Sequence, residues 1–196
     1  MSRLDDLISD LCPDGVEYRK LGDIAEIGTG SSNRNEESID GKYPFYVRSQ
    51  KILRKDSYEF DETAIITAKD GDVGKIIHYI NGKYALHKNA YRIHLIDETI
   101  NPKFLYYYMK VTFREYVKKH VVCAAVSSIH QSALKKYPVP VVSLDEQNRI
   151  VSILDRFNAL CNDLTAGLPA EIEARRKQYE YYRDRLLTFK QKEVTT

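Results

Sequence analysis

Arg48, Ser49, Gln50 and Lys51 follow directly on an aromatic and β-branched run, YPFYV from Tyr43 to Val47. A guanidinium, a hydroxyl, a carboxamide and an ammonium at a strand end are the donors and acceptors that pair with guanine and adenine edges, while the aromatic neighbours fill a core. Two further groups have the same character. Lys69 and Lys75 flank a turn at Asp70-Gly71, and His87, Lys88 and Asn89 stand between two strand-like runs. A charge bias adds a third: residues 103–136 hold seven Lys or Arg against one acidic residue, whereas residues 1–40 hold four against ten. The basic segment, which includes Lys118 and Lys119, can neutralise phosphates. The alternative is a solvated helix face, where Lys118 and Lys119 simply suit a helix C-terminus.

Combinations that could break or make covalent bonds are scarce. No HExxH or GxSxG is present, and no Cys or Ser has a locally placed base to activate it. GTGSSN at Gly28–Asn33 lacks the third glycine of a dinucleotide loop, and GDVGK at Gly71–Lys75 has the wrong spacing for a phosphate-binding loop. Asp56, Glu59, Asp61 and Glu62 are clustered, but plain strand sequence follows them, and they read as a solvated loop. Cys12, Cys123 and Cys161 are too far apart for a zinc site or a disulfide framework, and the isolated histidines read as satisfied residues rather than metal ligands.

The elements that must position these groups follow from periodicity. At 196 residues, 43% hydrophobic and 30% charged, the chain can form one sizeable domain with a helical appendage. No run approaches the roughly 20 apolar residues that cross a bilayer, and the first residues do not form a signal peptide, so a cytoplasmic location is expected. Leu4, Leu7, Ile8 and Leu11 give a short amphipathic helix. Val16, Tyr18, Leu21, Ile24 and Ile27 point inward from short extended segments, and residues 28–41 form a polar loop. Residues 63–96 are a β pattern with turns predicted at Asp70-Gly71 and Asn81-Gly82. Asn101 and Pro102 start a helix that buries Phe104, Leu105, Tyr108, Met109 and Val111.

Ser143 and Glu146 have the spacing of a capping box ahead of a coiled-coil seam. Ile150, Ile153, Phe157, Leu160 and Leu164 alternate spacings of three and four, with Leu154 beside them; the seam then shifts to Ile172, Tyr179 and Leu186. Gly167 and Pro169 break or kink the helix, or else turn it back as a tight hairpin in which the arm partly covers itself. Ordinary helical packing at the end of a globular domain is the competing reading. An α+β fold is therefore expected: a strand-rich mixed α/β domain over residues 1–142, a C-terminal helical arm over 143–191 and a tail over 192–196.

The block LDEQNRIVSILDRF at Leu144–Phe157, followed after a spacer by EIEARRKQYEYYRDRLL, resembles the conserved region of the specificity subunits of type I restriction–modification enzymes. VEYRKLGDIAEIGTG, AIITAKDGDVGKI and FLYYYMK are similar to that family's target recognition domain. The resemblance implies a sequence-reading module without catalysis of its own. It implies that Ser31, Ser32, Asn33 and Arg34 in the loop after LGDIAEIGTG face DNA, the alternative being a mobile surface loop, and that Ser127, Ser128, His130 and Gln131 are recognition candidates.

The same resemblance implies double-stranded DNA and methyltransferase subunits as direct partners and a restriction and motor subunit as an indirect one. S-adenosylmethionine, Mg²⁺ and ATP belong on those partners, and no cofactor is expected on this chain. Only one recognition domain and one helical region are found where full-length specificity subunits carry two, so a homodimer through antiparallel C-terminal helices is expected. The readings that compete are a protein-interaction adaptor that oligomerises through its helices, and the recognition part of a type II methyltransferase–nuclease.

Overall fold

The computed structural model describes residues 15–120, 128–163 and 169–189, and within them not the side chains of 160–163 and 169–172. Its elements are β1 (Glu17–Lys20), α1 (Leu21–Ile24), β2 (Ala25–Thr29), a 3₁₀ turn (Arg34–Glu36), β3 (Tyr43–Tyr46), β4 (Leu53–Lys55), β5 (Phe60–Ala68), β6 (Ile77–Leu86) and β7 (Ala90–Leu95). Then follow α2 (Pro102–His120), α3 (Gln131–Lys135), β8 (Pro138–Val141), α4 (Leu144–Asp163) and α5 (Pro169–Leu186). The architecture is mixed α/β, and the chain divides into two compact units. One is Arg19–Val139; the other is Pro140–Thr196 together with Met1–Tyr18. β1 and β8 pair as a two-stranded sheet.

The larger unit is built on a six-stranded sheet of order β2-β7-β5-β6-β3-β4, antiparallel except where β3 runs parallel to β6. β6 and β7 lie on either side of β5 and are both antiparallel to it, so they run in the same direction. Parallel neighbours ordinarily need a long crossover. Here residues 87–89 suffice, although β6 ends beyond the start of β5, where Phe60 faces Tyr84, and β7 begins at its far end, where Ala68 faces Ala90. A flat β5 would separate its ends by roughly 26 Å at about 3.3 Å per residue, whereas the link from Leu86 to Ala90 reaches at most roughly 14 Å. The sheet must therefore roll up. Its inner face is the cluster of Tyr46, Ala64, Ile66, Tyr84, Leu86 and Ala90 with Phe60 and Ile80 against it. Phe45, Val47, Leu53 and Ala85 form a second cluster, and α2 lies against β5 and β6.

The roll corrects one sequence expectation. Asn81-Gly82 is not a turn: β6 runs straight through it, with Asn81 opposite Thr63 and Gly82 opposite Glu62. Gly82 has φ of +115°, a conformation a side chain would strain, and it lets the strand bend without leaving the ladder. Asp70-Gly71 does lie in the connection between β5 and β6, with Gly71 at φ +78°.

A second correction concerns the acidic cluster. Asp61 and Glu62 belong to β5, and Glu62 accepts hydrogen bonds from Tyr84 Oη (2.7 Å) and Arg92 (2.8 and 2.9 Å) with its side chain only 15% exposed. Burial is the main reason the Tyr84 hydroxyl is held above its ordinary value, the Glu62 carboxylate adding to it.

Local capping follows the sequence. Asn101 Oδ1 accepts from the backbone N–H groups of Lys103 (2.8 Å) and Phe104 (3.3 Å), an arrangement worth about 1 kcal/mol. Phe104, Leu105, Tyr108 and Met109 are buried as expected. The last turns of α2 pack their rings on Tyr137, through Phe113 and Tyr116.

In the helical unit, Ser143 Oγ accepts from Glu146 N (3.3 Å) at the start of α4. Ile150, Val151 and Leu154 are buried, while Ile153 and Phe157 are half-buried. Phe157 stacks on Tyr182 of α5 with ring centroids 5.8 Å apart. A continuous helix would hold those residues roughly 37 Å apart at about 1.5 Å per residue, so the chain doubles back between them rather than kinking within one long arm. Tyr179 and Leu186 are half-buried and Leu187 is buried. Leu4, Leu7, Ile8, Leu11, Cys12, Cys123, Ser127, Leu164 and Gly167 lie outside the described residues, as do the side chains of Leu160, Cys161, Pro169 and Ile172.

Candidate nucleic-acid interface

The short link from β6 to β7 is the centre of the site. Its backbone is bonded to three other segments: Lys88 N donates to Ser32 O (3.1 Å), His87 N to Tyr46 O (2.9 Å), and Lys69 N to Asn89 O (3.0 Å). Ser32 and His87 form a parallel bridge, and Ser32 N donates to Leu86 O (3.2 Å). A further segment joins beyond Lys69, whose carbonyl accepts from Ile129 N (3.1 Å) while Asp70 bridges Ser128. Residues 31–34, 48–51, 69–75, 87–89 and 128–131 are thus gathered into one loop cluster. The rolled sheet does this by bringing the end of β6 to the start of β7.

Within the cluster, hydrogen bonds separate the side chains that hold the frame from those that remain available. Ser32 is 2% exposed, and Glu59 accepts from Ser32 Oγ, from Ser31 N (2.8 Å) and Oγ (3.0 Å), and from Leu86 N (3.3 Å). Lys55 Nζ donates to Ser32 Oγ and to Glu36, both at 2.6 Å. Asn33 and Glu36 close a capping box around the 3₁₀ turn, with Asn33 N donating to Glu36 Oε1 (2.7 Å). His87 is buried, and its Nδ1 accepts from Asn89 N (3.0 Å). Burial and the nearby Arg48, Lys88 and Arg34 hold the His87 pKa down, against Asp70, so the ring is neutral near pH 7.

Three more candidates are tied to carbonyls: Ser49 Oγ to Lys51 O (2.8 Å), Gln50 Nε2 to Lys75 O (2.7 Å) and Gln131 Nε2 to Ile27 O (2.5 Å). Lys75 pairs with Asp72 (2.7 Å), and Lys69 lies 6.0 Å from the Tyr91 ring centre. His78 Nε2 donates to Ser49 O (3.0 Å), and burial lowers its pKa. Arg34, Lys51 and Lys88 are exposed and make no ion pair with a described carboxylate. His130 is exposed at the start of α3.

Lys118 and Lys119 stand apart from the hydrogen-bonded cluster, on the last turn of α2. The Arg114 Cα of that helix lies 3.1 Å from where a Cβ on Gly74 would be, so the helix end passes the loop of residues 71–75. Lys118 is paired with Glu115 at 2.6 Å.

Glu59, Lys55 and Gly30 are the positioning residues that sequence reasoning missed. A Cβ on Gly30 would sit 1.8 Å from Leu86 O, so only glycine lets the loop lie on the end of β6. The signal available was a glycine within the polar loop; Glu59 had none, because its partners are up to 28 residues away in sequence.

A family model described as the type I restriction modification DNA specificity domain matches residues 13–174. The chain belongs to this family. Among curated members of it, the specificity subunit of the type I restriction enzyme EcoR124I/EcoR124II of Escherichia coli is 30% identical over 204 residues, covering 92% of this chain and 50% of that protein. A putative type I specificity subunit of Mycoplasma pneumoniae is 30% identical over 185 residues, 91% of this chain and 68% of its own length. The fold is shared with the crystal structure of the type I restriction–modification S subunit from M. genitalium, at a TM-score of 0.65 and 19% identity over 77% of this chain and 41% of that one. The HsdS subunit from Thermoanaerobacter tengcongensis gives 0.58 and 17% over 94% and 49%. The chain spans about half the length of the first curated relatives it matches.

Proposed function

We propose that this specificity domain reads one half of a bipartite double-stranded DNA site in a type I restriction–modification system and has no catalysis of its own. The observation that carries this reading is the loop cluster on the β6–β7 link. Buried Ser32 and His87 and half-buried Glu59 hold its frame, and Arg34, Lys51 and Lys88 stand exposed on its surface. A rigid frame with unpaired cations suits phosphate contacts that fix register, while the remaining polar side chains meet base edges. Lys118 and Lys119, on the adjoining helix end, extend the basic surface.

The helical unit is the part proposed to dock methyltransferase subunits, with the restriction and motor subunit joining through them. S-adenosylmethionine, Mg²⁺ and ATP act on those partners, and the assembly works in the cytoplasm.

Equilibrium binding of the full chain to a pool of random duplexes, repeated over a salt series, tests the DNA reading. The logarithm of the association constant should fall linearly with the logarithm of salt. Replacing Arg34, Lys51 and Lys88 together by alanine should flatten that slope by about one per residue. A slope near zero in the wild-type chain would remove the phosphate-binding role.

The same proposal pairs two copies through antiparallel C-terminal helices, because Tyr181 is 51% exposed and Ile153, Phe157 and Tyr179 are only half-covered by the hairpin. Light scattering over a concentration series should give a dimer that Ile153→Glu with Tyr181→Glu converts to a folded monomer. A monomeric wild type at every concentration would sink the homodimer.

A further inference from the structure

We infer that Arg48 is the side chain that reads a guanine, with Asp70 as the positioning residue that aims it; this rests on the DNA-reading function proposed above. Arg48-Ser49-Gln50 leaves the end of β3 into the loop cluster, and all three types can contact bases. Hydrogen-bond accounting separates them. Ser49 has committed its hydroxyl proton to Lys51 O, and the Gln50 carboxamide spends one of its two N–H groups on Lys75 O, which leaves it a single donor and ties its orientation to the loop of residues 71–75. Arg48 has one guanidinium nitrogen, Nη1, on Asp70 Oδ1, and its side chain is 52% exposed. Its remaining N–H groups are the planar fork that matches guanine O6 and N7.

Asp70 is the firmer partner. Its side chain is 20% exposed, its backbone is bridged to Ser128, and the preceding Lys69 carbonyl accepts from Ile129 N. The carboxylate therefore ties the guanidinium to two other segments of the cluster, and the orientation of the fork is set before DNA arrives. Arg34 and Lys51 lack such a buttress; Arg34 lies on an exposed 3₁₀ turn, and lysine offers a point charge rather than a fork. Both suit phosphates.

The test is selection of duplexes by the full chain from a random library, followed by affinity at fixed salt for the selected duplex, a scrambled duplex, and versions carrying 7-deazaguanine at each guanine in turn. One guanine should be sensitive to loss of its N7 in the wild type. Arg48→Met, which keeps the length of the side chain and removes its donors, should weaken the selected duplex roughly tenfold to a hundredfold, change the scrambled duplex by no more than about threefold, and become indifferent to N7 at that position. Asp70→Asn should lose part of the same preference with thermal melting and scrambled-duplex affinity unchanged, which a merely structural role would not do. Selection that succeeds while Arg48→Met keeps the guanine preference overturns this inference and leaves the DNA-reading function standing. Failure of the wild-type chain to select any sequence overturns both. An unaltered guanine preference in Asp70→Asn overturns the positioning role of Asp70.

Discussion

Gly30→Ala is expected to destabilise the protein by about 3 kcal/mol or more, at or beyond the upper end of ordinary overpacking. The added Cβ would fall 1.8 Å from Leu86 O and 2.3 Å from Leu86 C, both backbone atoms of a strand held on two sides. No flexible side chain is there to move aside. Either the loop lifts off the end of β6, breaking the bonds of Ser32 N to Leu86 O and Lys88 N to Ser32 O, or β6 shifts within the sheet. Gly28 is the control: a Cβ there meets only the end of the Arg92 side chain, at 3.4 Å, and Gly28→Ala should stay within about 0.5 kcal/mol. The chain has no Trp, so urea unfolding is best followed by far-UV circular dichroism. Equal stability of Gly30→Ala and Gly28→Ala would refute the close approach. A folded Gly30→Ala protein should also lose sequence-selective DNA binding while keeping its helical content.

Glu59→Ala should cost about 1–3 kcal/mol at neutral pH, because Ser31 N, Ser32 Oγ and Leu86 N would lose an acceptor in a part-buried position. Glu59→Gln should not restore the loss, since one acceptor oxygen becomes an amide that points hydrogens at those donors. The pH dependence has a definite sign. Burial pushes the Glu59 pKa up, but the hydrogen bonds from Ser32, Ser31 and Leu86 together outweigh it and hold the carboxyl below its ordinary value. A depressed folded value means that the stabilisation is fully present above the unfolded carboxylate value, about 4.3, and disappears as pH falls through the lower folded value. The stability difference between wild type and Glu59→Gln should therefore be flat from neutral pH to about 5 and shrink in more acidic solution. A difference that grows on acidification would contradict the anchoring role. Selectivity for the chosen duplex should fall with the anchor, and non-selective binding should survive because Lys51 and Lys88 are untouched.

Local determinants were readable from the chain alone. The Asn101 and Ser143 caps, the inward faces of α2 and α4, the strand runs on either side of residues 69–76 and 87–89, and the family itself all rest on residues within a few positions of one another. Side-chain periodicity and capping are short-range, so one sequence shows them. Asn81-Gly82 looked like a turn on the same grounds and is not one. β5 offers it a continuous ladder, and tertiary pairing outweighs a local turn preference.

The fate of the polar candidates was decided by the tertiary structure. Ser32, His87, Gln50 and Gln131 have residue types suited to reading DNA, yet the fold buries the first two and binds the carboxamides of the others to carbonyls as far as 104 positions away. Glu59 looked solvated and is an anchor for the same reason, and Phe157 meets Tyr182 only because the chain reverses between α4 and α5. Residue type determines which hydrogen bonds and charges a side chain can offer. Which of them remain free for DNA depends on the roll of the sheet around β5, because the three-residue link it permits sets the neighbours of every loop in the cluster.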